Sequence, residues 1–518
     1  MEIAEFIYYV YFAIMIGVRS FGIIEGMTVY NISLIVGMLL FVIKVLMTEH
    51  SLLEYMVGAV LFGIAGIVYV FSGEKGMLLY FTMIFGAKAI KVSRAYIAGL
   101  ISVGLGLITL RISSLTGIIE ESYYLQERSQ GLVFRHSLGY PHPNSLQMTC
   151  TVWCMMLIYV ALKKGKKYFF SASVISIILS GYIYTYSNSR TGLLSICIFV
   201  FLNAYFILRK NVSPFEKFFI QLIFPMGLLI GVVGPLLPKL EFMNNLDRNI
   251  LSRFEISSAY LEENGIALFG QRLVTPEKYL YGNYGIDMGY SYLFIQLGIV
   301  MTILVAVLFI WFINYLLKKD RYIELSVMLT MVIIGYTESY IFNLGYKNIA
   351  YMLMGSAIFE FIREKCSEMR MASIKINPIK IRYRIKNSLI KISVISEAFA
   401  FPKAIGIMGL SITAAIMGVV IYLALNPVPS AIYSPVNYTE RQELKMEATF
   451  LTREDVSTII SGGDVVVDYK DETTPMYKYG QSTALWHHIE KTADIFVLVY
   501  LIATVLYIIF YGFKTKKE

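Results

Sequence analysis

Apolar residues fall in long continuous blocks along this chain, separated by short polar breaks. Fourteen such blocks stand out, at residues 4–18, 32–47, 55–71, 76–90, 96–115, 146–162, 168–186, 192–208, 218–237, 290–317, 325–339, 350–362, 405–425 and 495–513. A helix needs about 20 mostly apolar residues to cross the hydrocarbon layer, with allowance for tilt and for short members. Barrel strands would instead alternate apolar and polar residues over segments of about 10. The pattern therefore predicts an all-α, polytopic integral membrane protein of about 14 transmembrane helices. The longest break inside the main series, 238–289, far exceeds the ~12–15 residues beyond which a loop is usually functional or separately structured.

Composition supports that class, with 57% of the residues hydrophobic, 16% charged and a mean hydropathy of +0.63. The first block has neither a basic leader nor a small-residue exit, so no cleavable signal peptide is expected. Lys163, Lys164, Lys166 and Lys167, then Arg209, Lys210 and Lys217, then Lys318, Lys319 and Arg321 occupy three alternate breaks, which places those breaks in the cytoplasm. Counting outward puts both termini inside, in agreement with Lys514, Lys516 and Lys517 and with the basic run 363–391. The expected location is the cytoplasmic (inner) membrane. The net charge of +9 then follows from topology and from attraction to anionic lipid, and a nucleic-acid partner is not expected. Cys150, Cys154 and Cys197 lie inside blocks and Cys366 lies on the cytoplasmic side, so no disulfide is expected.

The same count places four polar regions outside: 120–144, the corner Ser187-Asn188-Ser189-Arg190, the long loop 238–289, and 338–347. Arg135, Arg190, Arg253 and Arg272 all fall there, against the usual scarcity of cations in outer segments. An arginine offers a planar, permanently charged fork that can bond two oxygens of a phosphate at once. His142, Asp287 and Glu338 are the groups able to take a proton from a hydroxyl, and Glu338 leads because a carboxylate at the end of an apolar span must be paired or used. Pro141 and Pro143 would stiffen the loop around His142, Asn144 would cap the next span, and Leu251-Ser252-Arg253-Phe254 opens a helical stretch. Tyr279, Tyr281, Tyr284, Tyr290 and Tyr292 supply flat faces with hydroxyl handles.

In order, Gly139-Tyr140-Pro141-His142-Pro143-Asn144, Asn188-Ser189-Arg190-Thr191-Gly192, Leu251-Ser252-Arg253, Leu268-Phe269-Gly270-Gln271, Tyr290-Ser291-Tyr292-Leu293 and Gly335-Tyr336-Thr337-Glu338-Ser339 span 135–359. Together they resemble the Wzy-type polysaccharide polymerases of the O-antigen ligase and polymerase superfamily. The resemblance implies a GT-C-like membrane glycosyltransferase that joins oligosaccharide repeat units on the outer face of the membrane, making a capsule, exopolysaccharide or O-antigen-like polymer. It further implies a polyprenyl-pyrophosphate-linked donor and acceptor, with a flippase and a chain-length regulator as possible partners. The diphosphate falls to Arg190, Arg253, Arg272 and Arg135, the proton chemistry to Glu338, His142 and Asp287, and sugar contacts to Asn144, Tyr279, Tyr284 and Tyr290. No metal or other cofactor is required, and no D-x-D cluster of the kind that holds a nucleotide sugar through a divalent ion is present. Superfamily ligases carry a histidine in the segment entering the span after the large loop, whereas this chain has Asp287 there, which favours a polymerase.

Each candidate has a plainer reading. His142 would be a turn residue, Arg190 an interfacial anchor, and Arg253 and Arg272 partners of Glu255, Glu262 or Glu263 on a solvated helix face. The tyrosines would form an aromatic belt, Glu338 would pair with Lys347, and His487-His488 beside Trp486 would be interfacial. An O-antigen ligase-like transferase shares the donor chemistry and differs only in acceptor. A lipid-linked oligosaccharide flippase would instead place its charges at mid-membrane depth.

By this reading residues 1–362 form the polymerase-like membrane domain, 363–404 a basic cytoplasmic linker with alternating Ile and Lys or Arg, and 405–518 two further spans around a small outer domain at 426–494. Within that last region Asp464-Val465-Val466-Val467-Asp468, after Gly462-Gly463, reads as a hairpin strand.

Overall fold

The computed structural model describes residues 2–119, 122–128, 131–209, 211–236, 248–280, 285–379, 399–429, 432–435, 443–445, 459–462, 465–468, 476–479 and 481–515. In chain order its helices are α1 Ile3–Ser20, α2 Thr28–Leu46, α3 Leu52–Ser72, α4 Gly76–Gly86, α5 Val92–Leu115, α6 Pro143–Lys164, α7 Phe169–Ser187, α8 Arg190–Leu208 and α9 Pro214–Val233. They continue as α10 Arg248–Asn264, α11 Gly289–Ile295, α12 Gly298–Lys318, α13 Tyr322–Ile334, α14 Ala350–Lys365, α15 Arg370–Ser373, α16 Lys403–Leu425 and α17 Gln481–Thr515.

All fourteen apolar blocks are helical, and among the described residues eleven helices are long and apolar enough to cross a membrane. The protein is thus a mostly helical, multi-pass membrane protein. The blocks that fall short are α4, α13 and α14, of 11, 13 and 16 residues. At 1.5 Å per residue the first two reach only ~16–20 Å, and both are largely buried among their neighbours, which shields these short segments from lipid. Helices α2, α3 and α12 instead leave Ile35, Leu39, Val60, Val70, Ile303 and Val307 exposed, the pattern of a lipid-facing surface. Capping boxes begin two of the spans, Ser51 with Glu54 on α3 and Ser213 with Glu216 on α9.

The chain divides into two compact units. Unit 1 comprises residues 1–19, 25–102 and 197–387, and unit 2 comprises 20–24, 103–196 and 388–518. Helices α16 and α17 fall in the same unit as α6 and α7.

In unit 1 the turns at one end are tied together by Lys75 on Glu25 (2.8 Å), and the Gln296 amide donates to Glu74 (2.8 Å). At the opposite end strands β1 (His50–Ser51) and β4 (Lys375–Ile376) pair antiparallel, and Arg321 meets Glu360 at 2.6 Å. The tenth apolar block is not one helix but two. It breaks between α11 and α12 at Gly298, whose φ is +84°. The first amides of α12 find partners in the long loop, Ile299 N–H donating to the Ala267 carbonyl at 3.1 Å and Val300 N–H to the Leu268 carbonyl at 3.0 Å. A side chain on Gly298 would strike the Ala267 carbonyl oxygen (2.8 Å from an ideal Cβ), so the break needs a glycine with this backbone conformation.

In unit 2, α16 and α17 pack against each other, with the Thr504 hydroxyl donating to Ser411 at 3.0 Å. Strands β2 (Ser122–Arg128) and β3 (Gly131–His136) form a hairpin that β6 (Glu443–Lys445) extends antiparallel to β2. Strand β5 (Ile432–Pro435) pairs with β9 (Met476–Tyr479), and β7 (Ile459–Gly462) with β8 (Val465–Asp468), so the hairpin expected around Val465 is present. Much of the expected outer domain at 426–494, including 436–442, 446–458 and 469–475, lies outside the described residues.

Candidate functional site

In unit 2 the first two motifs interlock. Chain reversal before α6 uses Leu138 and Gly139 at positive φ (48° and 85°), and the Tyr140 hydroxyl anchors the loop on the Ser20 carbonyl at 2.6 Å. His142, not Asn144, caps α6: its Nδ1 accepts the Asn144 amide N–H at 3.1 Å, with Pro143 as the first helical residue. This corrects the expected cap. An amide can only donate, so Nδ1 is the acceptor and the neutral ring carries its proton on Nε2. In this arrangement His142 presents a donor rather than the lone pair a general base uses. Tyr124 packs edge-on against the ring (4.8 Å) and donates to the Pro141 carbonyl at 2.8 Å.

The side chain of Asn144 turns to Arg135, which is only 9% exposed and donates to Asn144 Oδ1 at 2.5 Å and to the Ser187 carbonyl at 2.8 Å. Arg135 thus staples the start of α6 to the C-terminal end of α7, where the exposed carbonyls favour a cation. That is a correction to its expected role as a diphosphate contact, since its fork is engaged by the fold. Gln147 completes the corner, donating to the Ser180 hydroxyl (2.9 Å) and accepting from that of Ser187 (3.0 Å). Asn188 takes the left-handed conformation (φ 49°), so that Arg190 emerges exposed as the first residue of α8, with no carboxylate partner among the described residues.

In unit 1 three distant segments converge. Arg253, on α10, donates through Nη1 to the Thr337 carbonyl, next to Glu338. The Gly289 amide bonds the Gly335 carbonyl at 3.0 Å, which brings the segment with Asp287 against the same turn. A Cβ on Gly289 would stand 2.7 Å from the Glu338 carbonyl oxygen, so no side chain fits there. Asp287 keeps an accessible surface, yet surrounding protein displaces enough water to raise its carboxyl above the ordinary range, against the pull of the Arg253 guanidinium. Glu338 is 4% exposed. Burial and then Arg19 push the Lys347 amine down to about 7, against the opposing pull of the Glu338 charge.

Neither Arg253 nor Arg272 forms an ion pair with Glu255, Glu262 or Glu263 among the described residues. Arg272 is exposed and lies over Gly73, which ends α3 (3.7 Å from an ideal Cβ there to Nε). Tyr279 is half-buried under Lys278, whose Nζ stands 5.4 Å from the ring centre. Tyr284, with Tyr281, lies outside the described residues. Tyr290 is corrected as a sugar contact: it is 0% exposed, its hydroxyl donates to the Val332 carbonyl at 2.6 Å, and its ring packs on Phe224 and Tyr336. Hydropathy cannot tell a core tyrosine from an interfacial one.

Several polar groups escaped the sequence reading. Arg19, in the last turn of α1, places its guanidinium 4.8 Å from the Tyr30 ring centre. In unit 2, Arg111 meets Asp494 at 3.4 Å and the buried His136 meets Glu490 at 3.3 Å. The signal for Arg19 was present, since it ends a span as Arg190 begins one, but no motif marks it. No group of three or more His, Cys, Asp or Glu residues suited to a metal ion occurs among the described residues. No protein-family model matches the chain, and no curated protein matches it.

Proposed function

We propose that this protein is a Wzy-type polysaccharide polymerase, a membrane glycosyltransferase that couples polyprenyl-pyrophosphate-linked repeat units on the outer face of the cytoplasmic membrane. The proposal includes a GT-C-like fold of about 14 spans, cytoplasmic termini and a small outer C-terminal domain. The observation that carries it is the convergence in unit 1 of Arg253, Asp287 and the Glu338 turn, which are far apart in sequence. A cation that acts on the Asp287 carboxylate and bonds the turn carrying Glu338 suits attack by a sugar hydroxyl on the anomeric carbon of the donor: the C–O bond to phosphate breaks, the polyprenyl diphosphate leaves, and the hydroxyl proton passes to Glu338. Arg253 and Arg272 would hold the departing diphosphate, whose charge develops as the bond opens. In unit 2, taken by itself, Arg190 is proposed as a diphosphate contact. Asp287 would position the hydroxyl.

The test is a reconstitution in liposomes of the full-length protein with lipid-linked repeat units and no nucleotide sugar. A ladder of products is expected, and Glu338→Gln should abolish it while the lipid-linked units persist. If the wild type transfers one glycan to a different acceptor without forming a ladder, the ligase reading replaces this one; if it transfers none, the transferase reading fails.

A further inference from the structure

We propose that Glu490 on α17 is a positioning residue for the corner of unit 2, fixing the backbone from which Arg190 is presented to a diphosphate. The role of Arg190 rests on the polymerase reading, and the role of Glu490 rests on contacts within unit 2. Helix α17 begins at Gln481, well before its apolar block at 495–513. In that leading stretch Trp486, Glu490 and Asp494 recur every fourth residue, which puts all three on one face. Each meets the corner or the elements that build it. The Trp486 indole N–H donates to the Thr185 carbonyl at 3.0 Å, and Asp494 accepts from the Tyr182 hydroxyl at 3.0 Å and lies 3.4 Å from Arg111. Between them Glu490 is 2% exposed, with one carboxylate oxygen 3.3 Å from His136 Nε2 and the other 3.3 Å from His487 Nδ1.

Trp486 and Asp494 seat α17 on the last turns of α7, and apolar residues would complete that seat at lower cost than a buried carboxylate. The partner of Glu490 is different, because His136 belongs to β3. It directly follows Arg135, whose guanidinium holds the Asn144 side chain and the Ser187 carbonyl, and its ring stands edge-on to Tyr186 at 5.7 Å. Glu490 therefore fixes the end of the strand from which Arg135 staples the corner. The Ser187 hydroxyl accepts the Ser189 amide N–H at 3.2 Å, and Arg190 is the next residue. From Glu490 to Arg190 the path runs without a gap through printed contacts and chain neighbours, and all of it lies in unit 2. Coupling along such a path is a measurable quantity.

The experiment is calorimetric titration of the detergent-solubilised full-length protein with farnesyl pyrophosphate, a short isoprenoid diphosphate. Arg190→Ala should weaken binding about tenfold, as loss of a charge-assisted contact does, and Glu490→Gln should weaken it by a similar factor. In the double variant the two losses should not multiply, because one residue acts through the other. Glu490→Asp, which keeps the charge on a shorter side chain, should recover part of the affinity. Trp486→Phe, which loosens the seat on α7 and leaves His136 in place, should stay within about twofold of wild type. Wild-type affinity in Glu490→Gln, losses that multiply in the double variant, or an equal loss in Trp486→Phe would overturn the assignment. A second measurement follows the corner itself, as the rate at which a maleimide labels Arg190→Cys in a protein that also carries Cys197→Ser and Cys366→Ser. Adding Glu490→Gln should change that rate by about threefold or more as local opening shifts, and an unchanged rate would overturn the positioning role. If farnesyl pyrophosphate binds wild type and Arg190→Ala equally, the diphosphate reading of Arg190 fails alone, and the labelling rate still decides Glu490.

Discussion

Lys347 is a residue whose surroundings oppose its ordinary charge. Its amine is pushed from the usual lysine range down to about 7, chiefly by burial and then by Arg19. In the unfolded chain the same amine binds a proton up to about pH 10.4. Between about 7 and that value the unfolded state therefore holds more protons, so folding stability rises with pH across this window and the penalty is complete below it. Replacing Lys347 by Met should remove the dependence: melting temperatures of wild type and Lys347→Met in one detergent should converge as pH rises from 7 to 10. A wild type that loses stability relative to the variant over that rise would contradict the assignment. Arg253 is a separate case, because its donor bond is to a backbone carbonyl beside Glu338 and not to a glutamate of its own helix. Arg253→Gln should lower turnover by roughly 10²–10³-fold, the range for losing one preorganised donor to a developing anion. Quantifying polymer formed per unit time by reconstituted protein checks it, and a loss below tenfold would leave Arg253 a structural residue.

Among the elements, the break between α11 and α12 shows what hydropathy can and cannot see. Residues 290–317 look like one span because every residue in the break, Gln296 aside, is apolar or glycine. The interruption arises from Gly298 at positive φ and from carbonyls at 267 and 268, supplied by a loop that precedes it in sequence. The order of the motifs was legible, and so was the helix carrying Arg253, because each depends on local residue types. What was not legible was long-range partnership: that Arg135 would be consumed by Ser187 and Asn144, or that Tyr290 would be buried against Phe224. Gly298→Ala should destabilise by about 2 kcal/mol or more, combining the ~1–2 kcal/mol cost of a left-handed non-glycine residue with the collision at Ala267. Gly63→Ala, in the middle of α3 with open space around it, should be neutral or slightly stabilising. Thermal melts of the two variants side by side check the contrast, and equal shifts would mean the break is not a strained, specified feature.

At the scale of the whole molecule, the proposed orientation stakes much of the function on which end of unit 1 faces outward. Arg19, Glu74, Lys75, Arg272, Glu338 and Lys347 belong to turns at one end, tied there by contacts such as Lys75 with Glu25 and Arg272 over Gly73. Cys366, partly exposed just after α14, belongs with the opposite end, where Lys319 meets Glu364 at 2.7 Å and Lys375 meets Glu49 at 2.9 Å. The two basic breaks of unit 1, at 209–217 and 318–321, lie at this opposite end, so the positive-inside rule assigns it to the cytoplasm. The chain holds four cysteines, of which Cys150 and Cys154 are buried and Cys197 lies on the apolar helix α8, which leaves Cys366 as a natural reporter. In intact cells a membrane-impermeant maleimide should leave Cys366 unmodified and should modify it once the membrane is opened. A cysteine introduced at Lys278, exposed in the long loop, should behave oppositely and react in intact cells. Reaction of Cys366 from outside would invert the molecule, place Glu338 and Arg253 among cytosolic nucleotides, and remove the flipped, lipid-linked glycan as the substrate those residues could meet.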